Sequence, residues 1–466
     1  MTSHEPQQIT EHVVRDLDDL QALADRVVEL VQASPRAQAA NVEANVLVGR
    51  TRHALTRFAN SFIHQHVGED TVSVGLTVAV DGRTATAGTT DTREEALRTL
   101  IEATLESAAL QPVDPHWPGA TPPADVAASG NFDPDTADAR PEQRAERVKA
   151  FVDVAADLRA AGYLDTEATW AAFASTAGQR AVGRATRATV DGIHQTDTSA
   201  GSAHQTSHRL ADLDAAAAGT VAADRARRSA EFVDLDPGVY EVVLGPEAVS
   251  TMLTFLGVYG FNAKMHLEGA SFAKLGEAQF DPAITILEDP ADPRAIALPF
   301  DNEGSPRRSF PLVEAGVVRN LAHDRRTAKR AGAETTGSAV PGGSEFGAVP
   351  TTIKLVPGTT APDDLVADVE RGLLVTQFHY CRVLDPKTLV VTGLTRNGTF
   401  LVENGKLAGA VGNLRFTQSF VQALGAGQVV AIGDDDRYAD GEFGAGVVIA
   451  PSLRLRAWNF TGGAKG

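Results

Sequence analysis

The chain has 466 residues, 43% of them hydrophobic, and sets 42 Lys and Arg against 60 Asp and Glu for a formal charge of −18. That length suits two or three domains with real cores, and the apolar content excludes disorder as a default. The acidic balance argues against a nucleic-acid binder, which would carry a basic footprint. A single cysteine, Cys381, rules out an internal disulfide and fits a reducing compartment. The opening MTSHEPQQIT has neither a basic nor an apolar signal region, and no apolar run of about 18 residues could span a membrane. A cytoplasmic protein without membrane attachment is expected.

Residues 1–15 are polar and read as frayed. Leu17, Leu20, Ala24, Val27 and Val31 then share one face of a first helix. Strands are expected at 41–49, 54–65 and 71–80 from their alternating Val, Leu and Phe, and Asp81-Gly82 suits a type I′ hairpin turn into 83–88. Thr92, with Glu95 three residues on, reads as a capping box for a helix to about 110. Residues 111–140, rich in Pro, Asp and Ala, read as a surface crossing. A helix at 141–161, strands at 164–173, 180–188 and 192–208, and a helix at 211–229 repeat the earlier layout without repeating its sequence.

The composition breaks near 231–238. Beyond it short strands dominate, at 240–244, 283–288, 316–321, 352–356, 373–380, 388–396, 398–403 and 453–459. Asn397-Gly398 and Asn404-Gly405 read as hairpin turns. Helices are expected at 246–258, 324–331, 362–371 and 415–424, and 332–349 reads as a long flexible loop. The expected fold class is α+β. An N-terminal sandwich-like domain, 1–230, has helices flanking a mixed or antiparallel sheet, and a β-rich, barrel-like domain occupies 231–466.

The stretch that organises the chemistry is 244–276, LGPEAVSTMLTFLGVYGFNAKMHLEGASFAKLG. Pro246 opens a helix whose Val249, Met252, Leu253 and Leu256 recur at helical spacing. Its polar roster of Ser250, Thr251, Thr254, Tyr259 and Asn262 cannot by itself build a metal site. In order and spacing, this stretch and its surroundings resemble the TldD/PmbA family of peptidase subunits from about Val42 to Gly463. The carriers are VSVGLTVAVDGRTATAGTTDTREEALRTLIEA, the junction DPGVYEVVLGPEAVSTML, the block IALPFDNEGSPRRSFPLVEAGVVRNLAHDRRTA and the late GTFLVENGKLAGAV.

The resemblance implies two kinds of subunit paired in a heterodimer, TldD with an HExxxH zinc motif and TldE (PmbA) without it. It places Thr254, Phe255 and Tyr259 where the first His, the Glu and the second His would stand. Thr and Tyr are poor neutral zinc ligands and Phe cannot shuttle a proton. The family's late cysteine ligand has no counterpart in 431–446, and Cys381 lies on another strand. The implied protein is therefore a non-catalytic TldE-like subunit with no metal or cofactor of its own. Zinc is expected in a TldD-like partner, with which it walls a chamber for unstructured or modified peptides.

Other polar residues have plainer roles open to them. His266 and Glu268 fall outside the motif positions and read as an exposed pair. His204 and His208 alternate on a strand, where four residues separate them by about 13 Å, too far for shared ligation, and His64 and His66 likewise read as alternating strand residues. Cys381 reads first as a small core residue of a half-buried strand; His379, two residues away, would share its face, so a Cys–His dyad stays open as the basis of a stand-alone hydrolase. A homodimeric peptide-binding protein is a third reading. Arg307-Arg308 and Arg325-Arg326 read as solvated or partner-facing charges, and the Gly-rich pieces 340–343 and 425–427 lack the context of a phosphate cradle.

Overall fold

The computed structural model describes residues 16–128, 131–439 and 448–463. The expected frayed stretch 1–15 and part of 431–446 therefore lie outside the described residues. The first sheet contains β1 (Val42–Ala59), β2 (Phe62–Val80), β3 (Arg83–Thr89), β4 (Arg159–Ser175), β5 (Arg180–Gln195) and β6 (Ala200–Ser207). It is antiparallel throughout, in the order β3-β2-β1-β4-β5-β6.

Two expected strands, 41–49 and 54–65, prove to be one long strand and the start of the next. The polar residues between them do not turn the chain, because Arg50 and Arg52 reach across to Asp70 on β2 at 2.6 and 3.9 Å. The reversal falls instead at Asn60-Ser61, both left-handed with φ 49° and 65°. Asp81-Gly82 turns as expected, with φ 49° and 77°.

All the large helices over this sheet share one face, in two pairs. Leu17–Gln32 and Glu94–Leu110 bury Val46, Val48, Val74 and Leu76. Pro141–Asp153 and Ala215–Arg228 bury Leu164, Ala188 and Val190. The expected capping box at Thr92 is absent: Asp91 instead takes the N–H of Arg93 at 3.0 Å, and the helix begins at Glu94. The helix expected to reach 161 stops at Asp153 because β4 takes over at Arg159.

In the C-terminal half, Gly238–Leu244, Leu453–Gly463, Leu414–Ser419, Val390–Glu403 and Arg371–Asp385 pair in that order. The last also pairs with the first, closing a five-stranded barrel. Barrels this small are filled by side chains. Phe378, Phe416, Phe420 and Trp458 fill this one, with Phe378 4.6 Å from Phe416 and 5.0 Å from Trp458. A second, six-stranded sheet runs from Val317–Val318 to Arg437–Ala439.

The expected helix at 415–424 is the barrel strand Leu414–Ser419 plus one turn, Phe420–Ala423. Asn397-Gly398 is no hairpin either; it lies inside Val390–Glu403 at φ 56° and 138°, where the register with Arg371–Asp385 shifts. Asn404-Gly405 does turn. The 111–140 segment is more than a surface crossing. Trp117, Ala120 and Thr121 are buried, and the Arg325 guanidinium donates to the carbonyls of Pro118, Gly119 and Ala120 and to Thr121 Oγ1. It joins the sheet to the C-terminal half.

Candidate functional site

The helix Pro246–Phe255 passes directly into a π turn, Leu256–Gly260. On a regular α-helix residues five apart diverge by about 140°, whereas a π turn returns the fifth residue close to the same side. Thr254 and Tyr259 are such a pair. Their chemistry is occupied elsewhere. Thr254 Oγ1 donates to the Ser250 carbonyl at 2.9 Å. Phe255 is 1% exposed, stacked at 5.9 Å on Tyr259 and edge-on at 6.0 Å to Phe420. Aromatic rings close in Phe255, while Thr254 and Tyr259 are half-buried.

A cleft of about 1040 Å3 lies elsewhere, between the helix-free face of the first sheet and the C-terminal half. Its floor is Leu47, Gly49 and Thr51 of β1, Ser73 and Gly75 of β2, Gly88 of β3, and Thr169 and Ala171 of β4. Gly75 stands opposite Gly88 and Gly49 opposite Ser73, so the floor is flat and its backbone is bare. Glycines inside strands often mark close approach by another chain or ligand. Leu298, Phe300, Ser338, Ala339 and Thr351 form the facing wall. Arg307 also faces it, with its guanidinium donating at 2.7 Å to buried Glu288, which in turn accepts the Thr352 N–H at 3.0 Å.

Behind that wall sit carboxyl groups with perturbed acidity. Asp301 accepts N–H bonds from Glu303, Ser305 and Ala339, all at 2.9 Å, and so ties the 337–341 loop to the wall. Burial still pushes its carboxyl up to about 6. Glu303 accepts the Arg325 N–H at 2.8 Å. Burial, reinforced by the charges of Asp301 and Asp324, pushes it up to about 8. At the start of the motif helix, burial would raise Glu247, but Arg437 and Arg225 outweigh it and leave that carboxyl below its ordinary value.

Two family models match this chain. One, described as the PmbA/TldA metallopeptidase C-terminal domain, covers residues 237–462; the other, described as PmbA/TldA metallopeptidase domain 1, covers 44–108. Together they span more than half of the sequence. The chain belongs to the PmbA/TldD metallopeptidase family.

Among its relatives, a metalloprotease of Methanothermobacter thermautotrophicus is 26% identical over 210 residues, 44% of this chain and 45% of that protein. A metalloprotease of Archaeoglobus fulgidus is 31% identical over 114 residues, 22% and 27% of the two chains. The match thus spans less than half the length of these curated relatives. TldE from Thermococcus kodakarensis shares the fold with a TM-score of 0.82 at 17% identity, over 96% of this chain and 99% of that one. A proposed modulator of a DNA gyrase from Thermotoga maritima shares it at 0.81 and 20% identity, over 94% and 99%.

Membership in a PmbA/TldD metallopeptidase family raises the question of zinc. The residues at the expected ligand positions do not fit it: a hydroxyl already donating to a carbonyl, a benzyl ring and a phenol stacked on that ring. Among the described residues no group of three or more His, Cys, Asp or Glu side chains is placed to hold a metal.

The Cys381–His379 pairing also fails on geometry. Tyr380 adopts φ 54°, and His379 and Arg382 face Leu394 and Thr392, so two residues oppose one and the strand bulges. The bulge inverts the alternation. Cys381 turns into the barrel core at 0% exposure, against Gly393, while His379 receives an Arg396 N–H at 2.8 Å.

The histidine pairs resolve individually. His204 contacts Asp191 at 3.1 Å and Thr206 at 2.8 Å, with His208 beyond the end of β6. His66 on β2 contacts Thr56 and Arg144, and His64 shares that strand. His266 lies within a short helix and contacts the Ala273 carbonyl, while Glu268 pairs with Lys264 at 3.3 Å. Of the basic pairs, Arg307 and Arg325 are built into the wall and the junction, contrary to a solvated role. Arg308 and Arg326 pair with Glu334 and Asp114. Sequence reasoning passed over Asp301 and Glu303 and the glycines of the floor. The available signal was Gly49, Gly75 and Gly88 interrupting otherwise regular strands.

Proposed function

We propose that this chain is a non-catalytic, TldE-type subunit of a cytoplasmic heterodimeric peptidase, whose zinc is held by a TldD-type partner. The observation that carries this reading is the chemistry at the motif positions: the Thr254 hydroxyl donates to the Ser250 carbonyl, and Phe255 is buried against Tyr259 and Phe420. The cleft supplies the second half of the reading. Its bare, uncharged floor suits an extended, unstructured peptide, because backbone contacts tolerate many side chains. In this role the chain would bind and present peptide, and the partner would cut it.

The test is reconstitution. The purified chain, mixed with its cognate zinc-bearing subunit, should elute as a 1:1 complex and raise peptidase activity. Alone it should hold no stoichiometric zinc. Stoichiometric zinc in the isolated chain, or failure of the two chains to associate, refutes the proposal.

A further inference from the structure

Between the two helix pairs the 132–138 segment crosses the first sheet, and a pocket of about 450 Å3 opens beside it. We propose that this pocket binds a flat heteroaromatic ring of nucleoside size carrying at most one phosphate group. This site is on the opposite face from the peptide cleft and does not depend on the peptidase reading.

Its floor is a row across three strands: Arg50 of β1 opposite Trp170 of β4, and Trp170 opposite Arg184 of β5. The Arg50 guanidinium stands 5.7 Å from the Trp170 ring centroid and that of Arg184 stands 4.3 Å from Phe132. Phe132 and Trp170 meet at 5.6 Å and 59°, forming an open wedge of two half-buried rings. Asp70 holds Arg50 at 2.6 Å and Asp138 holds Arg52 at 2.9 Å, so the cations are oriented before any ligand arrives.

An electron-rich ring can stack on the wedge and under a guanidinium at once. The volume falls in the range of small-molecule sites. Charge narrows the ligand further. Three arginines in the lining are balanced by Asp16, Asp18 and Asp138, which leaves no surplus for a polyphosphate. The −18 of the whole chain disfavours a nucleic-acid strand.

Tryptophan fluorescence and calorimetry test this on the full chain. Trp117 and Trp458 are 9% and 0% exposed, so Trp170 alone of the three is open to a quencher. Adenosine and AMP should quench saturably, ATP should bind more weakly than AMP, and inorganic phosphate should do nothing. By calorimetry, Arg184→Ala and Trp170→Ala should each weaken adenosine at least about tenfold, as loss of one stacking partner implies. Arg184 is exposed, so its variant keeps the fold, and an unchanged melting temperature checks this. The proposal falls if adenosine and AMP show no saturable binding, if both variants bind adenosine like the parent, or if affinity rises with phosphate number.

Discussion

Replacing Glu303 with Gln isolates one proton in the wall of the cleft. In the folded chain this carboxyl is raised from 4.5 to about 8, by burial first and then by Asp301 and Asp324. Between those values the folded state keeps a proton that the unfolded chain releases. The stability linked to it is complete below pH 4.5 and is lost as pH climbs through about 8. Each pH unit in the window costs the native state about 1.4 kcal/mol, so the total is on the order of 3–5 kcal/mol. Gln cannot ionise and keeps an acceptor for the Arg325 N–H. Denaturant unfolding from pH 5 to 9 should show the Glu303→Gln variant gaining on the parent by roughly that amount across the window. Asp301 lies beside Glu303 and its charge feels the same proton, so the difference curve reports on the titration of the pair. Parallel curves would refute the assignment.

Phe255→Ala should cost about 3–5 kcal/mol in denaturant unfolding, since it empties a fully buried aromatic site. The triple change Thr254→His, Phe255→Glu, Tyr259→His should lose more, and a variant that folded normally and held stoichiometric zinc would contradict the packing described for this turn. Cys381 should resist a thiol reagent in the native chain and react only on unfolding, as 0% exposure requires; rapid native labelling would contradict the bulge. Arg325→Ala should free the carbonyls of 118–120, lower stability by about 3 kcal/mol and expose the 111–128 stretch to limited proteolysis.

How much of this was legible depends on the range of the interaction concerned. Leu17–Gln32 and β2 follow from apolar periodicity, and Asp81-Gly82 and Asn404-Gly405 from turn chemistry, because each is decided by neighbours in the chain. The union of two predicted strands into β1 was not legible. It depends on Arg50 and Arg52 meeting Asp70, some twenty residues away. Asn397-Gly398 carries the same dipeptide signal as a hairpin, yet the barrel uses it as a bulge. The Tyr380 bulge put Cys381 and His379, expected to share a face, on opposite faces, since a single extra residue flips every side chain after it. In the candidate site, positions 254, 255 and 259 were visible from the motif's spacing. The acidities of Asp301 and Glu303 were not, because burial and the approach of Asp324 exist only in the folded chain.

The wide turn at Leu256–Gly260 also sets the phase of the residues C-terminal to it. Asn262 caps the next short helix through the N–H groups of Lys264 and Met265, and its amide reaches the Phe346 carbonyl at 2.7 Å. Were the same residues wound as an ordinary α-helix, every later position would rotate by about 100°. Asn262 would then face away from Phe346, and the 343–347 segment would lose its anchor. One surplus residue thus acts as a phase-setting shim, aligning two parts of the chain about eighty positions apart.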